Sequence, residues 1–136
     1  DQSFMRMAAE AASNSRDPST KVGCVLVRPD GTIASLGYNG APRGVDDDKY
    51  MRGSRELKLA FVLHAEENAV LNCRDQSTNG YTAYVTMAPC SHCCSVLAQS
   101  GIRRVVCMPP KPAWLKSAEL GRQMLVEMGV EVVWFG

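Results

Sequence analysis

The sequence has no hydrophobic run long enough to span a membrane, because a charged residue or a glycine interrupts every apolar stretch. Its 15 basic and 14 acidic residues nearly cancel, so a broad electrostatic surface for nucleic acid is not expected. The first residues, Asp1 to Arg6, lack the basic start and apolar core of a secretory signal. Internal repeats and low-complexity linkers are also missing. We therefore expect a single domain over residues 1–136 in a soluble, cytoplasmic protein.

The six cysteines are too clustered to suggest a framework of disulfides. Three of them fall within the segment Cys90-Ser-His-Cys93-Cys94. In an intracellular protein such a cluster is more typical of a metal site than of disulfide bonds. Cys94 is one position away from the metal-facing side of the predicted helix, which favours a packing role. The remaining cysteines lie in apolar segments and are expected to be buried there: Cys24, Cys73 and Cys107.

Apolar periodicity predicts an α/β protein. The predicted strands are residues 22–27, 32–38, 82–87, 103–108 and 130–135, and the predicted helices are residues 2–14, 64–73, 90–100 and 117–128. A Pro-Asp-Gly turn at residues 29–31 joins the first two strands into a hairpin. Residues 54–63 have a weaker pattern, which indicates a short helix or an ordered insertion. From residue 64 onward helices and strands alternate, which predicts parallel strands, right-handed crossovers and helices on both faces. The expected fold is a three-layer α/β/α sandwich around a mixed five-stranded sheet.

Two short motifs carry the strongest chemical signal. The first is His64-Ala65-Glu66 at the start of a predicted helix, and the second is Pro89-Cys90-Ser91-His92-Cys93 between a strand and a helix. Cys90 and Cys93 are three residues apart, so one helical turn can present both sulfurs on the same side. A helix N-terminus also favours the thiolate form that binds metal. With His64 as third ligand, a tetrahedral Zn²⁺ keeps one open position, as in catalytic sites.

Glu66 is the predicted proton carrier of this site. On a regular helix it would face away from His64, but in the first turn its carboxylate can reach a water molecule at the open position. A solvated helix carboxylate is the alternative for Glu66, and a structural histidine is the alternative for His64. His92 points elsewhere between the cysteines and is expected at the surface or behind the ligands.

Together the two motifs match the H-x-E and P-C-x-x-C pattern of zinc deaminases. Further segments extend the resemblance: residues 17–23 (DPSTKVG), 37–44 (GYNGAPRG), 64–69 (HAEENA) and 101–106 (GIRRVV). Over roughly residues 5–135 the chain resembles the cytidine deaminase superfamily, and most closely its deoxycytidylate (dCMP) deaminases. The resemblance implies zinc-dependent hydrolysis of dCMP to dUMP and ammonia, within pyrimidine nucleotide metabolism.

The resemblance also implies contacts with the substrate. Asn39 would hydrogen-bond the sugar or base, although holding a loop turn is the alternative. The backbone N–H of Ala65 would donate to the cytosine carbonyl oxygen, and the carbonyl of Ala88 would accept from the exocyclic amine. For the monophosphate, the candidate donors are Arg43 and Lys21, either of which could instead be a solvated surface charge.

The chain departs from the family at Trp114, where many relatives carry a tyrosine near the base. Trp114 either takes over stacking on the base or anchors the following helix, and tolerance of a substituent at cytosine C5 depends on this position. By the same resemblance, a homo-oligomer, suspected to be a hexamer, and the effectors dCTP and dTTP are expected. Two other functions stay open. One is deamination of another cytosine nucleotide, a free nucleoside or a base in single-stranded nucleic acid, and the other is a zinc-binding module without turnover.

Overall fold

The computed structural model describes residues 1–135, which contain five strands and six α-helices. The strands are β1 (Gly23–Val27), β2 (Ile33–Tyr38), β3 (Thr82–Val85), β4 (Arg104–Cys107) and β5 (Glu131–Trp134). The helices are α1 (Gln2–Ala12), α2 (Asp47–Tyr50), α3 (Arg55–Phe61), α4 (Ala65–Asn72), α5 (Ser91–Gln99) and α6 (Leu115–Glu127). A short 3₁₀ helix, Pro112–Trp114, leads into α6.

The strands form one mixed sheet in the order β2-β1-β3-β4-β5. β1 is antiparallel to both of its neighbours, and β3, β4 and β5 are parallel to one another. The hairpin register runs from Gly23 opposite Tyr38 to Val27 opposite Ile33, with one irregularity at the turn end. This topology confirms the predicted mixed five-stranded sheet.

Helices cover the two faces of the sheet unequally. Alternate residues of β1, such as Cys24 and Leu26, pack under α4, α5 and α6, whereas Val25 and Val27 pack under α1. The three helices share one face because β2, β3, β4 and β5 run in parallel and follow each other in one direction across the sheet, so that α4, α5 and α6 each lie in a crossover between two of them. Each right-handed crossover then places its helix on the same side. The predicted α/β/α layering is confirmed, with α1 alone forming the third layer.

The largest departures from the predicted elements lie between β2 and α4. The weak segment 54–63 does contain a helix, α3, whose N-cap Ser54 accepts a hydrogen bond from the N–H of Leu57. The single turn α2 was not predicted; its N-cap is Asp46, in the acidic run that follows the loop. Within the described residues, no helix combines the length and the apolar character needed to cross a membrane.

Candidate active site

His64 lies just before α4 rather than within it. It is the N-cap residue, with an extended backbone at φ −76° and ψ 159°. Its N–H donates to the Glu67 carboxylate at 2.9 Å, which forms one half of a capping box. The helix start, and with it the direction of the imidazole, is therefore fixed by a residue three positions further along.

Cys90 and Cys93 occupy the equivalent place on α5. Cys90 is the N-cap, with φ −69° and ψ 169°, and its sulfur accepts from the backbone N–H of Cys93 at 3.5 Å. Cys93 lies in the first turn and is fully buried, whereas Cys90 is half-buried. The N-termini of α4 and α5 thus meet, each bringing metal-binding side chains to the same point.

The donor atoms of the three side chains lie within 4.8 Å of one another. His64 Nδ1 is 3.1 Å from the Cys93 sulfur and 3.7 Å from the Cys90 sulfur. Zinc bond lengths with tetrahedral angles require about 3.6 Å between such nitrogen and sulfur ligands, so the cluster fits a zinc ion after a shift of about 0.5 Å. Among residues 1–135, no fourth His, Cys, Asp or Glu belongs to this cluster of donor atoms. It leaves a tetrahedral ion one position for water or substrate.

Hydrogen bonds among the three side chains shift their pKa values in different directions. The Cys93 thiol donates to Cys90 and lowers the pKa of Cys90 to about 3, although burial opposes this shift. Donation to Cys90, together with burial, raises the pKa of Cys93. The hydrogen bond to Cys90 raises the pKa of His64 to about 8. Metal binding requires both cysteines as thiolates and the imidazole in its neutral form, so it is coupled to the release of protons.

Glu66 is a buried carboxyl group beside this cluster. Only 4% of the residue is exposed, and burial raises its pKa to about 7, with the negative charge on Cys90 adding to the shift and His64 opposing it. A pKa near neutrality lets a group both accept and donate a proton under ordinary conditions. The site therefore places a buried carboxyl group, with a pKa near neutrality, beside a position for a metal ion with three ligands.

A family model described as the cytidine and deoxycytidylate deaminase zinc-binding region matches residues 1–109. The chain belongs to this family. It is 43% identical over 107 residues to a probable deoxycytidylate deaminase of Caenorhabditis elegans, which covers 76% of this chain and 54% of that protein. It is 36% identical to a probable deoxycytidylate deaminase of Drosophila melanogaster, covering 96% of this chain and 70% of the fly protein. The chain thus spans only about half the length of the worm relative.

The fold of the family is also found in solved structures. The dCMP deaminase of cyanophage S-TIM5, crystallised in complex with dCMP and dUMP, superposes with a TM-score of 0.82 at 29% identity. The match covers 98% of this chain and 95% of the phage chain. The family is a zinc-binding one, and His64, Cys90 and Cys93 are positioned as its ligands.

The structure brings some of the other predicted residues to the metal position. Ala65 follows His64 and is fully buried, and its N–H is one of the first-turn donors that a helix leaves without an internal partner. Ala88 is buried two residues before Cys90. Asn39 is buried too, but its side chain is used within the protein. Its amide donates to Asp17 at 3.3 Å and to the Thr20 carbonyl at 2.9 Å, and its oxygen accepts from Val22 N–H at 2.8 Å.

The predicted phosphate donors are not gathered at the metal. Arg43 donates to the Asn72 side chain at 3.1 Å, at the opposite end of α4 from His64. An eight-residue helix is about 12 Å long, so in this conformation Arg43 is distant from the ligands. Lys21 is exposed before β1. Trp114 is 53% exposed ahead of α6, so its stacking role stays a prediction.

Asn68 was expected to brace the site, but sequence reasoning missed two residues that act beside it, Glu67 and Asn72. Glu67 caps α4, and Asn68 and Asn72 tie α4 to β2 by donating to the carbonyls of Tyr38 at 2.8 Å and Leu36 at 3.0 Å. The spacing of four between the two asparagines is a signal for one face of a helix, although only the fold shows that this face meets β2.

Proposed function

We propose that this chain is a zinc-dependent deaminase that hydrolyses dCMP to dUMP and ammonia. The observation that carries the proposal is the buried Glu66 carboxyl beside three metal ligands. A closed structural zinc site has four protein ligands and no use for a proton carrier. The deoxycytidylate substrate is supported by the names of the worm and fly relatives and by the nucleotides bound to the phage protein.

In this proposal His64, Cys90 and Cys93 hold the ion, and Glu66 moves the protons. Zinc, when bound, lowers the pKa of a coordinated water molecule and so supplies a nucleophile at neutral pH. Glu66 accepts one proton from the water and passes it to the ring nitrogen next to C4. Once the oxygen is bonded to C4, Glu66 accepts its second proton and passes that one to the departing amino group. The C4–N bond breaks, ammonia leaves, and the oxygen from water stays on C4.

The backbone on either side of the site orients the base. The N–H of Ala65 donates to the cytosine carbonyl oxygen, and the carbonyl of Ala88 accepts from the exocyclic amine. Both groups belong to buried turns next to the ligands. Asn39, if it contacts the sugar, does so through the free lone pair of its side-chain oxygen, since both of its amide hydrogens are already donated.

A substrate panel tests the function. The zinc-loaded chain is incubated with dCMP, 5-methyl-dCMP, dCTP, cytidine and a single-stranded oligonucleotide, and ammonia release and the ultraviolet absorbance change are followed. We expect the highest kcat/KM with dCMP. Turnover confined to the oligonucleotide would contradict the proposed substrate. Zinc binding without turnover of any compound would indicate a binding module instead.

We further propose that the chain forms a homo-oligomer, with a hexamer as the expected form, and that dCTP and dTTP regulate it. Support for the effectors comes from a groove of about 700 Å³ that runs along β2 and α4. Arg16 and Arg43 line it together with several carboxamides, a combination suited to a phosphorylated ligand. Sedimentation and kinetics with and without each triphosphate test both points.

A further inference from the structure

Asp17 is a buried carboxylate that organises the loop before β1. Only 3% of its side chain is exposed. One oxygen accepts from the backbone N–H groups of Ser19 at 2.8 Å and Thr20 at 3.1 Å, and from the Ser19 hydroxyl at 3.1 Å. Residues 17–20 therefore form a closed turn around this side chain.

Lys58 connects this turn to α3. Its ammonium group lies 2.9 Å from one Asp17 oxygen and 2.8 Å from the other, and its side chain is only 19% exposed. The rest of α3 offers little to hold it, because none of its seven residues is buried. A helix this short has no stability of its own in water. Its position thus depends on the Asp17–Lys58 pair, on the contact of Phe61 with Tyr50 of α2, and on its C-terminal connection.

The same turn fixes the loop that faces the C-terminal end of α3. The second Asp17 oxygen accepts from the Asn39 amide at 3.3 Å. The next residue, Gly40, exchanges two backbone hydrogen bonds with Leu63, at 3.0 and 2.8 Å. Leu63 directly precedes His64. A continuous set of contacts therefore runs from Lys58 through Asp17 and Asn39 to the chain that enters the metal site.

We propose that Asp17 and Lys58 are positioning residues, which hold in place Asn39, the α3 segment and, through the pairing of Gly40 with Leu63, the chain that enters the metal site at His64. Burial of an ion pair is weak evidence for stability, because desolvation offsets most of the attraction between the charges. The pair does fix geometry, since one carboxylate oxygen accepts from the 17–20 turn, the other accepts from Asn39, and Lys58 contacts both. The catalytic consequence rests on the proposed deaminase function, whereas the structural consequence does not.

Hydrogen exchange tests the structural consequence on the zinc-loaded chain without nucleotide. Asp17→Asn removes the charge and keeps the shape, and Asp48→Asn makes the same change in an exposed pair, 3.5 Å from Arg52. We expect amides of residues 39–40 and 55–63 to exchange at least about tenfold faster in Asp17→Asn than in wild type or Asp48→Asn. Equal exchange rates would overturn the inference. Lys58→Met supplies the same comparison should Asp17→Asn fail to fold.

Steady-state kinetics tests the positioning role. For Asp17→Asn and Lys58→Met we expect KM for dCMP to rise about tenfold with kcat within about threefold of wild type, the pattern of lost binding that ground state and transition state share. Lys58→Arg, which can still pair with Asp17, should keep KM within about threefold of wild type. A lower melting temperature with unchanged KM and kcat would show a purely structural pair and overturn the proposal. If the wild-type chain deaminates no nucleotide, the proposed function fails, and hydrogen exchange alone decides whether the pair holds Asn39 and the α3 segment in place.

Discussion

Replacement of Gly37 by alanine is the substitution expected to damage the site most without touching a ligand. Gly37 lies in β2, opposite Cys24 in the hairpin, and α4 crosses directly above it. A Cβ atom at this position would be 2.4 Å from the backbone nitrogen of Ala69 and 2.6 Å from the carbonyl oxygen of Ala65. Both atoms belong to the backbone of α4, so no side chain can rotate away to relieve the overlap.

The size of the effect follows from these distances. Ordinary contact begins at 3.4 Å, so α4 must move away from β2 by about 1 Å. Overpacking a core usually costs about 1–3 kcal/mol, and the upper end applies because a whole helix has to shift. The shift also stretches the hydrogen bonds from Asn68 and Asn72 to β2. Because α4 carries Glu66 in its first turn, a displacement of about 1 Å should lower kcat/KM about 100-fold.

Two other glycines separate stability from site geometry. At Gly40 a Cβ atom has no heavy atom within 4 Å, so Gly40→Ala should leave the free energy of unfolding nearly unchanged. At Gly23 a Cβ atom overlaps the Ala8 carbonyl of α1, on the face without ligands. Gly23→Ala should therefore destabilise the fold but keep the zinc affinity of the molecules that remain folded. Urea unfolding and chelator competition measure the two quantities. A Gly37→Ala protein as stable and as active as wild type would refute the reasoning.

Three further changes test the site itself. Glu66→Gln should retain its zinc by metal analysis but release ammonia at least about 100-fold more slowly; unchanged turnover would remove Glu66 from the mechanism. Cys93→Ser should weaken zinc binding by more than about 100-fold, whereas Cys73→Ser, a thiol change at the far end of α4, should not, as chelator competition would show. Burial opposes ionisation of Asp17, but hydrogen bonds from Lys58 and the 17–20 turn outweigh it and hold its pKa below the ordinary 3.8. The stabilisation from ionised Asp17 is therefore present above that ordinary pKa and is lost as pH falls through the folded value. In urea unfolding between about pH 6 and pH 2, the free energy of unfolding should fall less steeply with pH for Asp17→Asn than for wild type. Equal slopes would contradict the assignment.

The sheet and the main helices were predictable because their signals are local. The strands are short apolar runs bounded by turns, and α1, α5 and α6 each bury one face, so periodicity reveals them. The helix α3 buries no residue and gives no such pattern. The single turn α2 depends on a cap by Asp46 and is too short for any periodicity. Both elements are positioned by contacts that only the folded chain creates.

The metal ligands were predictable for a different reason, which is the chemical specificity of their spacing. His64, Cys90 and Cys93 come together as expected. The contacts of Asn39 and Arg43 could not be inferred in the same way. Asn39 pairs with a carboxylate 22 residues away, and Arg43 pairs with Asn72, 29 residues away. Neither pairing leaves a local pattern in the sequence, because each depends on how the loops pack against the sheet.

The position of His64 outside α4 explains how a two-residue spacing can serve one site. Within a helix, residues two apart point about 200° apart, so an imidazole and a carboxylate at this spacing could not face the same ion. As the N-cap, His64 has an extended backbone, and the helical offset starts only at Ala65. Glu66 can therefore turn inward beside the imidazole while Glu67 turns back to cap the N–H of His64. The same construction recurs at α5, where Cys90 is the N-cap. Two helix N-termini then direct their positive dipole ends at one point, which favours the thiolate form of the cysteines.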